Sequence, residues 1–186
     1  RGYVNSFREY SDDLDSIISY IRNEYNKMPI YILGHSMGAY ISALYEVLHP
    51  GKISGQILSG IPAIELPLAD IKILKKLPYN KFPGIMLKNR LAKLVSKDPD
   101  VVKNYATDPL NLKRATIKMS SEMFLKGPVF LSDHINEYSI PCLILHGQED
   151  KIVTPVAAEW FFENISSSDK TKIIYPGLYH EIYNEP

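Results

Sequence analysis

The sequence predicts an α/β fold: a parallel sheet flanked by helices, with a helical cap inserted between two of its strands. Three observations carry this. Short apolar runs alternate with helical periodicity at both ends of the chain, the pattern of parallel strands joined by crossover helices. A middle stretch is broken by Pro67, Pro78, Pro83, Pro99, Pro109 and Pro128, too many for long regular elements. That stretch, 62–135, also holds 13 Lys/Arg against 7 Asp/Glu, whereas the whole chain is balanced at 21 each. The boundaries expected are a core formed by 1–61 and 136–186 and a cap at 62–135.

Residues 7–26 place Phe7, Tyr10, Leu14, Ile17, Ile18 and Ile21 at the 3.6-residue period. Ser6 and Glu9 are spaced as a capping box ahead of that helix. Pro29 to Gly34 contains the buried-strand run Ile30-Tyr31-Ile32-Leu33. Met37 to Leu48 reads as a helix stopped by Pro50-Gly51, and Ile53 to Leu58 as a second strand. Ile140 to His146 is the third strand, Pro155 to Ile165 a helix, and Lys172 to Tyr175 a fourth strand ended by Pro176-Gly177.

Composition excludes several classes. Zero net charge does not suit non-specific binding to nucleic acid, which rests on phosphate neutralisation. A single cysteine, Cys142, leaves no disulfide framework and no thiolate cluster; it sits mid-strand as a buried, inert thiol. No His/Asp/Glu spacing fits a metal site and no glycine loop fits a phosphate, so no cofactor is expected. No apolar run reaches the length of a membrane span. The chain opens on Arg1 rather than methionine, so the native N-terminus is expected upstream and localisation is not legible from this end.

The chemistry centres on Gly34-His35-Ser36-Met37-Gly38, between a predicted strand and a predicted helix. This is the setting of a nucleophile elbow, in which a sharp turn presents the serine hydroxyl at the strand's C-terminal end. Glycines on both sides are expected because a Cβ would clash where strand and helix approach. The Met37 amide, at the helix N-terminus, becomes an oxyanion donor. The plainer alternative is a glycine-rich turn with Ser36 as helix cap.

A serine nucleophile needs a base, and the base an acid, in the chain order Ser, Asp/Glu, His. Among five histidines only His180 follows every core strand. His35 adjoins the serine with its side chain expected to point away, His49 ends a helix, and His134 and His146 precede the acid candidates. Glu149 and Asp150 follow the third strand; Asp150 is preferred, with Glu149 a solvated loop charge. Leu66, Leu68, Ile85, Met86, Met119, Met123 and Phe124 are the apolar cap residues expected to line a pocket above Ser36.

The segments Gly34–Gly38, His146-Gly147-Gln148-Glu149-Asp150-Lys151-Ile152-Val153 and Tyr175-Pro176-Gly177-Leu178-Tyr179-His180-Glu181 resemble α/β-hydrolases of the monoacylglycerol lipase and lysophospholipase group, the serine aminopeptidase S33-like hydrolases. Arg1-Gly2-Tyr3-Val4 is similar to the stretch after that family's fourth strand. The likeness covers nearly the whole chain, least clearly 62–130. It implies a partial α/β-hydrolase fold and an esterase acting on lipid esters, with Ser36 as nucleophile, Asp150 as acid and His180 as base. A further expectation is contact of the basic cap with anionic lipid surfaces, against the plainer reading of a solvated charged face. The family's His-Gly-x-Gly loop, which supplies a second oxyanion donor, has no counterpart here. The chain therefore looks like the C-terminal two-thirds of a larger enzyme, and the Pro29–Gly34 strand is expected at an open sheet edge. A general carboxylesterase, an S33-type peptidase and a non-catalytic ligand-binding fragment are the alternatives.

Overall fold

The computed structural model describes residues 2–64, 72 and 74–186. Helix α1 (Arg8–Glu24) leads into β1 (Tyr31–His35), α2 (Met37–Leu48) and β2 (Gly55–Ser59). The chain then departs, and returns to β5 (Cys142–Gly147), α6 (Pro155–Asn164) and β6 (Lys170–Tyr175). These four strands form one sheet in the order β1-β2-β5-β6, parallel throughout.

The intervening segment contains β3 (Met86–Lys88), α3 (Pro99–Thr107), β4 (Arg114–Thr116), α4 (Ile117–Ser121) and α5 (Gly127–Asp133). A five-residue π-helical stretch, Glu122–Lys126, joins the last two. β3 and β4 pair antiparallel, a two-stranded sheet absent from the all-helical expectation for this region. Its strands are three residues each, too short to give a period-2 signal. A Cβ at Gly127 would collide with the Tyr40 hydroxyl, so glycine there lets this segment lie against α2.

Two apolar clusters meet at Phe124. The larger fills the space between α2, the sheet and α6 with Tyr40, Leu44, Leu58, Ile144, Ala158 and Phe161, and takes in Met123 and Leu131 from the intervening segment. The second joins Leu74, Val95 and Ile117 of that segment to Ile152, Val153 and Ala157 of the sheet-bearing part.

Among the described residues β1 pairs on one side only, with β2, and leaves Tyr31 and Leu33 exposed at the sheet edge. The start of α1 differs from the expected capping box. The Ser6 hydroxyl accepts from the Arg8 amide at 3.2 Å, and the Glu9 carboxylate accepts from Asn5 rather than Ser6, also at 3.2 Å. Among the described residues no helix is long and apolar enough to cross a membrane, and no group of His, Cys, Asp and Glu could hold a metal ion.

Candidate active site

Parallel strands bring their C-terminal ends to one edge of the sheet, where loops are free to carry function. Ser36 leaves β1 there with φ 53° and ψ −119°, and it alone among the described non-glycine residues has positive φ. The conformation is held from both sides: the Ser36 amide donates to Ser59 O at 2.8 Å, and its carbonyl accepts from Tyr40 at 3.1 Å. A residue kept in such a sparsely populated region costs about 1–3 kcal/mol, and that strain points to function. The steric demand falls on Gly34, whose Cβ would lie 2.5 Å from Gly38 O and 2.7 Å from Ala39 N. Gly38 does not share it, because a Cβ there meets nothing within 4 Å among the described residues. Met37 is the first residue of α2, where N–H groups have no partner within the helix.

Asp150 lies in the loop after β5 and is buried. Its Oδ1 accepts from the amides of Ile152 at 2.8 Å and Val153 at 2.9 Å, and its Oδ2 lies 2.6 Å from His180 Nδ1. Burial alone would raise this carboxyl's pKa. The hydrogen bonds from His146 and His180, the His180 charge and the Val153 amide outweigh burial and hold it well below the usual carboxylate range. Asp150 is thus an anion across the physiological range, fixed to accept from an imidazole.

His180 is buried in the loop after β6. Glycine 147 lets that loop close: a Cβ there would collide with Tyr179 O and lie 2.6 Å from Leu178 O. The Gln148 and Glu149 amides donate to Tyr175 O and Leu178 O at 2.9 Å each. The Glu181 amide donates to Val95 O at 2.9 Å, tying the loop to the segment between β2 and β5. Glu149 faces outward and pairs with Lys97 at 3.2 Å, as expected of a solvated loop charge.

His35 does not point away from this cluster. Its ring centroid lies 4.8 Å from that of His180, and its Nδ1 is 3.1 Å from Ser59 Oγ. Burial, with the nearby His180 charge, lowers its pKa to about 4, so it is neutral at physiological pH. Gly60, which follows Ser59 and has φ +57°, faces the same ring: a Cβ would sit 3.0 Å from His180 Cε1. The chain neighbour of Ser36 and the turn that hydrogen-bonds it therefore both abut His180. The sequence sets His35 beside Ser36 but carries no signal for the direction of its ring, and Ser59 lies outside the spacing of Ser36, Asp150 and His180.

The cap residues scatter. Met123 is buried in the main core; Met119 and Phe124 are half-buried against it. Ile85 and Met86 are exposed at and just before β3. Leu66 and Leu68 lie outside the described residues. Phe124, with Ile64, Tyr79, Leu125 and Pro128, lines a cavity of about 450 Å³ whose wall also includes Lys75 and Asp133. A wider groove of about 640 Å³ lies between α3 and the segment after His180, lined by Val101, Asn104, Tyr105, Asp108, Glu181 and Asn184. Cys142 is buried, and burial pushes its thiol up to about 11, so little thiolate forms at neutral pH.

The family model for serine aminopeptidase S33 matches residues 1–186. A monoacylglycerol lipase of Mycolicibacterium smegmatis is 30% identical over 201 residues, spanning all of this chain and 67% of its own length. The monoglyceride lipase of Rattus norvegicus is 29% identical, with all of this chain matched to 62% of its length. The crystal structure of a Paleococcus ferrophilus monoacylglycerol lipase superposes with a TM-score of 0.87 at 31% identity, covering all of this chain and 71% of that one. The chain thus spans about two thirds of the length of these relatives. The parallel sheet, the strained Ser36 turn and these matches together identify the chain as a member of the serine aminopeptidase S33 family of α/β-hydrolases, the family of the monoglyceride lipases.

Proposed function

We propose that the chain carries the nucleophilic serine of a hydrolase that cleaves carboxylic esters of lipids, monoacylglycerols or lysophospholipids, through an acyl-enzyme. The observation that supports it most is the 2.6 Å contact between Asp150 Oδ2 and His180 Nδ1, beside a turn that holds Ser36 at positive φ. Asp150 sets the imidazole so that Nδ1 bears the hydrogen and Nε2 is left as the base. Ser36 Oγ attacks the acyl carbon while Nε2 takes its proton. The tetrahedral oxyanion is stabilised by the Met37 amide. As the carbonyl re-forms, the imidazolium returns the proton to the leaving alcohol; water then repeats the sequence on the acyl-enzyme.

Residues 62–135 act as a cap over this machinery, with Met119 and Phe124 among the apolar groups that would meet an acyl chain. The exposed Phe82, Ile85 and Met86 stand close in sequence to Lys81, Lys88 and Arg90 and suit contact with an anionic lipid surface. The similarity to monoacylglycerol lipases supports the substrate class.

The test has two parts. A fluorophosphonate probe should label the chain covalently at Ser36; absence of labelling in folded protein would favour a non-catalytic ligand-binding fragment. A panel of long-chain monoacylglycerols, lysophospholipids, short water-soluble esters and aminopeptidase substrates then assigns the class. Preference for short esters or peptides would replace the lipid reading with a carboxylesterase or a peptidase.

A further inference from the structure

His146 is fully buried at the end of β5 and has no part in the mechanism above. Its Nε2 lies 2.7 Å from Val153 O and 3.2 Å from Asp150 Oδ2. Both neighbours are acceptors, so Nε2 carries the ring hydrogen; the hydrogen bond runs to Val153 O, and Asp150 Oδ2 lies in close contact beside it. Its Nδ1 is buried without a partner, which leaves that nitrogen as the unprotonated one. Asp150 Oδ2 is therefore held between two imidazoles, His180 at 2.6 Å and His146 at 3.2 Å, while Oδ1 is held by two amides. With Oδ1 held by two amides and Oδ2 by His180 and packed against His146, the carboxylate has one orientation. His146 also spans the loop that carries Asp150, tying its start to Val153 at its end.

We propose that His146 is a positioning residue for Asp150. Its Nε2–H donates to Val153 O, closing the turn that carries the acid, and its ring lies 3.2 Å from the carboxylate oxygen that faces His180, so that the acid keeps one orientation. This rests on the assignment of Asp150 and His180 above. Removing the donor leaves Val153 O unpaired, loosens the turn and lets the carboxylate rotate about its Cβ–Cγ bond. The loss expected is that of a buried acceptor left unpaired beside the acid, about 10–100-fold in the rate of Ser36 acylation.

The test compares His146→Leu, which removes the donor, with His146→Gln, whose amide can donate from a similar place. Three quantities are read: fluorophosphonate labelling rate, kcat and KM on the best ester of the panel, and the low-field proton resonance of His180 Nδ1. For His146→Leu, kcat and labelling should fall about 10–100-fold at unchanged KM, with the resonance shifted or lost. His146→Gln should recover most of both. A folded His146→Leu variant with the parent resonance and rate would overturn the proposal, and so would a His146→Gln variant as impaired as His146→Leu. If His146→Leu does not fold, the resonance in His146→Gln decides alone: retained supports the donor role, lost refutes it. If the parent chain is not labelled at Ser36, the hydrolase reading fails, yet the resonance still decides whether His146 positions Asp150.

Discussion

Replacing Gly147 by alanine is a test of how closely the base loop is set against the acid loop. The new Cβ would stand 2.6 Å from Leu178 O and closer still to Tyr179 O. Real Cβ atoms essentially never come within 3.0 Å of such neighbours, so the stretch of loop before His180 must retreat by at least 0.4 Å at Leu178 and further at Tyr179. Both obstacles are main-chain oxygens and cannot swing aside as a side chain would. His180 is the next residue, and its Nδ1 has a 2.6 Å contact with Asp150 to lose. A displacement approaching 1 Å at a reacting group costs about 10²-fold, so Gly147→Ala should slow Ser36 labelling by about 10–100-fold. The overpacking should also cost about 1–3 kcal/mol in stability. Labelling kinetics at a temperature well below the melting transition, with a thermal melt alongside, separate the two effects. A Gly147→Ala variant that labels at the parent rate would show that the loop does not hold His180 in register, and the reasoning would fail.

Ser36→Ala should abolish probe labelling and lower ester turnover by about 10⁴–10⁶-fold, and Asp150→Asn should cost about 10⁴-fold because it presents the wrong partner to Nδ1; retained turnover in a Ser36→Ala variant would disprove the nucleophile. Glu46 on α2 is buried with Oε2 unpartnered, and burial pushes its carboxyl up to about 7 against an ordinary 4.5. Between those values the native state keeps a proton that the unfolded state has released, so its contribution is whole below about pH 4.5 and lost as pH rises through 7. Glu46→Gln should match the parent in acid and gain about 2–3 kcal/mol over it by pH 8 in denaturant titrations; a constant difference across pH would refute this. His35 works the other way: its folded value of about 4 lies below the ordinary 6.5, so stability is whole above 6.5 and lost as pH falls towards 4. His35→Asn should flatten that limb, and an unchanged acid limb would count against the burial described here.

The core was legible because each of its elements obeys one period and ends on a recognisable stop. Two of the strands carry apolar runs such as Tyr31 to Leu33 and Cys142 to Leu145, and α2 and α6 begin or end at Ser36, Pro50-Gly51 or Pro155, whereas α1 starts at Arg8 after Phe7 rather than on the expected Ser6 cap. The proposed serine, acid and base rest on one motif and on chain order, which leaves His180 alone after every strand. What lies around them was not legible. His35 was set aside on the direction a turn residue should face, but a ring's direction depends on what packs against it, here His180 and the Ser59 hydroxyl. The β3–β4 pair was missed because three residues do not establish a period. The expectation for Gly38 transferred the steric argument of Gly34 to a position that has open space in the described structure. The apolar cap residues could be listed but not placed, since a Met or Leu reads the same whether it lines a cavity, as Phe124 does, or fills the core, as Met123 does.

The register of β2 with β5 pairs Gln56 with Cys142, residues 86 positions apart in the chain. Closing a loop of that size costs about 4 kcal/mol of chain entropy, growing only as the logarithm of length, so even doubling the excursion would add about 0.6 kcal/mol. The sheet is therefore nearly indifferent to how much chain leaves it after β2. The elements that carry Ser36, Asp150 and His180 lie on either side of that excursion, and all end at the same sheet edge. Length and content can change between β2 and β5 without altering which strands pair. The thermodynamic freedom to rebuild what stands over the site is built into the strand order, while the speed of folding bears the consequence, because the central strand pair must wait for a distant partner.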